Sequence, residues 1–223
     1  EMCGNGVRCV AKYVYDHGLC RSERLRIETG NGVLSLDLTV VDGRVCRVRV
    51  DMGEPILDPP RIPTALPRNP AIDGNPAANV DLDLGDRRFP VTCVSMGNPH
   101  CVTFVEELTD DWVLSVGPRI ETDPRFPRRV NAEFVQVLSP NEVRMRVWER
   151  GSGETLACGT GACAAVVAGI RHGWFDERVE VQLPGGILSV AWPVSRHGLA
   201  APVHLSGPAE TVFEGVIELP DLG

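Results

Sequence analysis

Cys3-Gly-Asn-Gly-Val-Arg-Cys-Val-Ala-Lys-Tyr-Val-Tyr-Asp-His17-Gly18 and Cys158-Gly-Thr-Gly-Ala-Cys-Ala-Ala-Val-Val-Ala-Gly-Ile-Arg-His172-Gly173 follow one pattern. Each opens on Cys-Gly-x-Gly, continues as a run of small or apolar residues, and closes on His-Gly. In each, the closing glycine stands 15 residues after the cysteine. Apolar spacing predicts helices over 7–15 and 162–170, ended by Gly18 and Gly173 as caps. A thiol is thus placed twice at the start of a helix. Two such groups facing one substrate carbon are what inversion of a stereocentre requires.

The repeat runs on beyond the helices. Ile27-Glu-Thr-Gly-Asn-Gly-Val-Leu-Ser-Leu36 parallels Val181-Gln-Leu-Pro-Gly-Gly-Ile-Leu-Ser-Val190, and Asp51-Met-Gly53 parallels Leu205-Ser-Gly207. The offset is 155 at the cysteines and 154 afterwards. Asn31-Gly32 and Gly185-Gly186 are hairpin turn signals between alternating strands. Val45, Val48 and Val50 extend the first sheet, and the proline-rich stretch 54–80 reads as an irregular crossover. Alternation predicts further strands at 91–95, 101–105, 131–137 and 142–148. The expected fold is α/β, with two pseudo-symmetric halves, each a mostly antiparallel sheet wrapped around a central helix. The halves are 1–88, completed by a C-terminal strand within 211–223, and 89–210. The second half has 67 residues between Val91 and Cys158, whereas two residues precede Cys3. Equivalence of the halves predicts about 65 further residues ahead of Glu1.

Composition narrows the chemistry. The 223 residues carry a net charge of -8, which argues against a nucleic-acid partner. No apolar run nears the roughly 20 residues that cross a bilayer, and no signal peptide is visible. The eight cysteines form no Cys-x-x-Cys, so no zinc site is expected; the chain is long enough to need no disulfide staples and several cysteines sit in apolar stretches, so a reduced, cytoplasmic protein is expected. Lys12 is the sole lysine and its pattern places it on the exposed side of its helix, which disfavours pyridoxal phosphate chemistry. No Gly-Lys-[Ser/Thr] occurs, and Gly151-Ser-Gly-Glu-Thr-Leu156 lacks the third glycine of a dinucleotide loop.

A helix N-terminus favours an anion, so each cysteine is expected to ionise below its ordinary value of roughly 8.5. Gly4, Asn5, Gly159 and Thr160 would offer backbone N–H groups to a carboxylate held between the two helix starts. Cys3 and Cys158 would then remove and return the α-proton of an amino acid on opposite faces, with no metal and no electron-sink cofactor. Either cysteine alone is more readily an inert buried thiol; the two together, each before Gly-x-Gly at a helix start, are not. Glu149 and Arg150 could read an ammonium and a carboxylate, or form a surface ion pair. Asn98 and Asn131 stand where turn chemistry also favours asparagine. His100 could orient groups behind the site, or be a satisfied strand histidine.

Taken together, Glu1-Met-Cys-Gly-Asn-Gly-Val-Arg8, Met96-Gly-Asn-Pro-His100, Asn131-Ala-Glu-Phe-Val135, the run from Trp148 through Ala157-Cys158-Gly-Thr-Gly161 to Cys163, and Gly207-Pro-Ala209 resemble the diaminopimelate epimerase family. Proline racemase and phenazine-biosynthesis isomerase relatives are less similar at these motifs. The resemblance implies cofactor-independent interconversion of LL- and meso-diaminopimelate, for lysine and peptidoglycan synthesis. It implies Cys3 and Cys158 as the acid/base pair, with His100 and Glu149 as auxiliary catalytic positions. It implies a substrate site of Gly4, Asn5, Asn98, Asn131, Glu149, Arg150, Gly159 and Thr160, with Asn131 and Arg150 on the distal carboxylate. It also implies a homodimer, with Phe213 at the contact and the strand 211–219 returning to the first half. The family carries about 70 residues ahead of its first cysteine, in keeping with the segment expected from the repeat. The competing readings are a racemase for another amino acid, discriminated by Glu149-Arg150, and a non-catalytic thiol-redox or binding protein.

Overall fold

The computed structural model describes residues 4–30, 32–72 and 77–217. Helix α1 (Gly4–Asp16) is followed by β1 (Arg24–Thr29), β2 (Gly32–Val41) and β3 (Arg44–Asp51). After the crossover come β4 (Val80–Asp83), β5 (Arg88–Ser95) and β6 (Pro99–Phe104), then a π-helical turn, Asp111–Val116, that runs into α2 (Gly117–Glu121). Next are β7 (Asn131–Ser139), β8 (Glu142–Glu149), β9 (Gly153–Thr155) and helix α3 (Gly159–Arg171). The chain continues as β10 (Arg178–Leu183), β11 (Gly186–Ala191), the short α4 (Val194–His197) and β12 (His204–Pro208).

Both helices end where the glycines stand, Gly18 at φ +73° and Gly173 at φ +72°, in the left-handed region that other residues avoid. The hairpins repeat in register. Leu25 pairs with Leu36 and Ile27 with Leu34; 154 residues later Val179 pairs with Val190 and Val181 with Leu188. Asn31, the first turn's other residue, lies outside the described residues.

The sheet order is β1-β2-β3-β12-β11-β10-β8-β7-β6-β5-β4, with β9 beside β8. Among the described residues only the β6–β7 and β8–β10 pairings are parallel. The two copies meet where β3 and β12 pair antiparallel, Val50 opposite Leu205. Helix α3 packs on β5, β6, β7, β11 and β12, strands far apart in that order, so the sheet curves around it. Helix α1 packs on β2, β3 and β12. Among the described residues the hairpin strands β1, β2 and β3 form one end of this sheet, with β1 at its edge, whereas the matching β10 has β8 on its outer side; β4, although within 1–88, pairs with β5 at the other end.

Helix α3 is buried on every side from Gly159 to Gly169, in keeping with its small residues. Helix α1 buries Gly4, Val7, Arg8, Ala11 and Tyr15 and leaves Val10 and Tyr13 exposed. One core joins both helices to the seam strands, from Val7 and Ala11 through Val166 and Val190 to Leu205. A second, of Leu82, Phe89, Val113, Ile120 and Phe134, lies under the π-helical turn.

Two expectations are corrected. Lys12 is not on an exposed face: its ammonium donates to Asp16 at 2.6 Å and to the Val45 carbonyl at 2.8 Å, and its side chain is 12% exposed. Residues 211–217 form no strand, and Phe213 among them is exposed; the strand that returns to the first half is β12, ending at Pro208. Val212, Phe213, Val216 and Ile217 are all exposed, so the segment has no buried face to hold it in the sheet. Residues 218–223 lie outside the described residues. Among the described residues no helix is long and apolar enough to cross a membrane.

Candidate active site

The two helix starts meet. A Cβ placed on Gly4 would lie 3.6 Å from the Gly159 Cα, and one on Gly159 would lie 3.5 Å from the Gly4 Cα. Both would stand 3.0 Å from the same Leu205 methyl, which closes the space beneath them. A Cβ at either position would therefore crowd that methyl and the facing helix start. Asn5 Nδ2 donates across the join to the Ala157 carbonyl at 3.0 Å. The buried Arg8 holds Asn5 from behind: its guanidinium donates to Asn5 Oδ1 and the Gly4 carbonyl, both at 3.1 Å, and to the Pro208 carbonyl at 3.3 Å.

Over this join lies a cavity of about 260 Å³ lined by Gly4, Asn5, Asn98, Asn131, Glu149, Arg150, Ser152, Ala157, Cys158, Gly159 and Thr160. Every substrate-site residue expected from the sequence is among them. Cys3 lies outside the described residues; its neighbour Gly4 is in the cavity wall. Cys158 caps α3 in an extended conformation (φ -124°, ψ 108°), with its sulfur buried in the same wall. At a helix start such as that of α3, the N–H groups of the first turn, Gly159 and Thr160 among them, point out of the helix, where an anion can accept from them.

His100 is not in the wall but behind it, fully buried on β6. Its Nε2 is 3.1 Å from Asn98 Oδ1 and its Nδ1 is 2.7 Å from Glu133 Oε1. Asn98 Nδ2 donates to Thr160 Oγ1 at 3.2 Å, and that hydroxyl is 3.5 Å from the Cys158 sulfur. Glu149 accepts from the Thr155 hydroxyl across the β8–β9 turn. Asn131 Oδ1 accepts from the Arg150 backbone N–H at 2.8 Å, and the Arg150 guanidinium donates to the Arg128 carbonyl at 2.9 Å. Arg150 also lines a neighbouring cavity of about 390 Å³ with Arg61 and Arg128, so the far end of the site is cationic.

The resting charge of Cys158 differs from the expectation of an ionised thiol. Burial first, then Glu133 and Glu149, push it far above its ordinary value; the Thr160 hydroxyl and the Gly161 N–H pull the other way and do not prevail. A helix start stabilises an anion by about 1 kcal/mol, less than the loss of water and two nearby carboxyls withdraw. Cys158 thus rests as the thiol.

Three supporting residues were not singled out from the sequence. Arg8 lies on the buried face of α1 with Val7 and Ala11, a charge among apolar neighbours that was the available signal. Glu121 accepts from Trp148 Nε1 at 2.8 Å, from the Gly151 N–H at 2.9 Å and from Arg129 at 3.2 Å, and so holds the turn that carries Glu149 and Arg150. Glu133 is two residues along β7 from Asn131, hence on the same face of the strand. It is fully buried, its Oε2 has no hydrogen-bond partner among the described residues, and burial raises its carboxyl above the ordinary value although His100 opposes this. Among the described residues no group of three His, Cys, Asp or Glu side chains is arranged to hold a metal ion.

The diaminopimelate epimerase family model matches residues 1–57 and 92–211. The diaminopimelate epimerase of Pelotomaculum thermopropionicum is 53% identical over 215 residues, covering 96% of this chain and 73% of its own length. That of Moorella thermoacetica is 51% identical over 216 residues, covering 96% of this chain and 74% of its own length. In fold, the crystal structure of a probable proline racemase from Agrobacterium radiobacter K84 superposes with a TM-score of 0.71 at 15% identity, covering 99% of this chain and 69% of that one.

Proposed function

The chain belongs to the diaminopimelate epimerase family, and we propose that it interconverts LL- and meso-2,6-diaminopimelate without a cofactor, by two-base proton transfer between Cys3 and Cys158. The cavity wall supports this reading: one reactive thiol stands at a join of two helix starts, with amide and guanidinium groups on the far side. A second reading is a racemase acting on an amino acid with one head group; the carboxylate of Glu149 and the guanidinium of Arg150 in the cavity wall favour a substrate with a second head group.

The substrate's reacting carboxylate is held over the join, against the N–H groups of Gly4, Asn5, Gly159 and Thr160. Its distal head group lies toward Asn98, Asn131, Glu149 and Arg150. The thiolate of Cys3 takes the α-proton from one face. Negative charge then moves from the α-carbon into the carboxylate, where the helix donors strengthen their hold as it develops. The Cys158 thiol gives its proton to the other face and is left as thiolate. The product differs from the substrate only in configuration, and the enzyme has exchanged which sulfur is charged. The reverse reaction starts from that second state. The high resting value of Cys158 suits its role as the acid in the first direction, because the proton is present at neutral pH and leaves only for a carbanion.

We further propose that the protein is cytoplasmic and acts as a homodimer in lysine and peptidoglycan synthesis, as two halves, 1–88 and 89–210. In D2O, substrate α-deuterium incorporation is expected to stop in both Cys3→Ala and Cys158→Ala, a loss of at least about 10²-fold. Exchange indifferent to either change would reject two-base catalysis; exchange with proline but not diaminopimelate would favour the second reading.

A further inference from the structure

A continuous hydrogen-bonded chain runs from Glu133 through His100, Asn98 and Thr160 to the Cys158 sulfur. Each link constrains the next. Asn98 turns its amide nitrogen to Thr160, so its oxygen faces His100 and must accept from Nε2–H. A ring that carries hydrogen on Nε2 meets Glu133 with one shared proton between Nδ1 and Oε1, whether written as neutral acid and imidazole or as carboxylate and imidazolium. The pair is uncharged overall in both forms. Thr160, which accepts from Asn98, keeps its own hydroxyl proton for the sulfur when Cys158 is a thiolate.

From this geometry we infer that Glu133 is a positioning residue for Cys158: it fixes the polarity of the chain so that the Thr160 hydroxyl donates to the sulfur. Glu133 does not touch the cavity. It lies on the far side of the α3 start, where a Cβ on Gly161 would stand 2.8 Å from its Oε1 and 3.3 Å from the Cys158 sulfur. Without the shared proton, Nδ1 can carry the ring hydrogen, Nε2 becomes an acceptor, and the Asn98 amide turns over. Thr160 then donates to Asn98 Oδ1, and the thiolate loses a donor. Asn131 Nδ2 also approaches His100 Nδ1, but at 3.4 Å, near the limit of a hydrogen bond; the 2.7 Å contact to Glu133 decides the ring's protonation. Among the described residues, Glu133 from β7 and Glu149 from β8 act on Cys158, and His100 and Cys101 from β6 and Glu149 face Glu133.

The inference rests on reading Cys158 as an acid/base group, but its test does not need turnover. The measurement is the rate at which iodoacetamide alkylates Cys158 at pH 8, followed by mass spectrometry of the peptide that carries it. Glu133→Gln keeps the shape of the side chain. Its amide can either donate to or accept from Nδ1, so it no longer fixes the ring hydrogen. The rate is expected to fall three- to tenfold, since one lost donor shifts a thiolate by about one pH unit and a more basic sulfur recovers part of the rate. Thr160→Val is expected to fall by a similar factor, and the double variant no further. An unchanged or faster rate in Glu133→Gln would overturn the inference, because loss of a carboxyl acting only through space speeds ionisation. Independent, multiplying losses in the double variant would also overturn it. If the wild-type chain shows no α-deuterium incorporation, the epimerase reading fails while these rates still score the chain of hydrogen bonds.

Discussion

Gly169 has no room for a side chain. A Cβ there would stand 2.1 Å from two ring carbons of Phe175, and that ring is itself held edge-on against Phe104. Helix propensity alone favours alanine over glycine by about 1 kcal/mol, but displacing a buried ring costs about 1–3 kcal/mol. Gly169→Ala is therefore expected to lower stability, read as a fall in urea midpoint at unchanged slope; a rise in midpoint would show that Phe175 moves freely. The same scale divides what could be read in the sequence from what could not. That Cys158, Asn98, Asn131, Glu149 and Arg150 share one cavity wall was foreshadowed by the family resemblance of their motifs, not by their spacing alone. The resting state of Cys158 was not, because it depends on how much water the sheet excludes and on Glu133 and Glu149 meeting it from other strands. A residue's own neighbours in sequence carry neither quantity.

Helix α1 is tied to β3 by Asp16 and Lys12. Asp16 Oδ2 accepts from Lys12 at 2.6 Å and Oδ1 from the Val45 N–H at 2.9 Å, while Lys12 also donates to the Val45 carbonyl. Burial opposes ionisation of Asp16, but these partners outweigh it and hold the carboxyl below its ordinary value. A carboxyl so depressed contributes stability above about pH 4, where the unfolded chain is also ionised, and the contribution is lost as pH falls through the folded value. Asp16→Asn is expected to lose about 1–3 kcal/mol at neutral pH, with the loss shrinking toward about pH 2. Chemical unfolding at several pH values checks this, and an equal loss at every pH would refute it. Elements of this kind were legible where a pattern repeats: the hairpins of both copies pair as their spacing requires. Strand β4 was missed because Val80-Asp-Leu-Asp83 is short and follows an Asn- and Pro-rich stretch. The 111–121 segment was missed because Gly117-Pro118 interrupts it and its burial comes from Trp148 and the second core.

The repeat makes one molecule of two copies through few residues. Strands β3 and β12 pair at the seam, and both helix starts rest on it. Leu205 occupies the centre: it is fully buried, opposite Val50, with one methyl under both Gly4 and Gly159. Symmetry of sequence announced two helix starts of one pattern; pairing of the seam strands sets Gly4 and Gly159 against each other. Stability and activity should therefore part company between cores. Leu205→Ala and Leu82→Ala each empty a fully buried site and are each expected to lose about 2–5 kcal/mol. Leu82 lies in the second core, away from the helix join, so its variant should retain kcat once folded. Leu205→Ala lets the helix starts shift, and a displacement of even about 1 Å at reacting groups can lower turnover roughly 10²-fold. Comparing α-proton exchange in the two variants at matched folded fraction tests this. Equal turnover would mean that the helix starts are held by α1 and α3 themselves rather than by the strand beneath them.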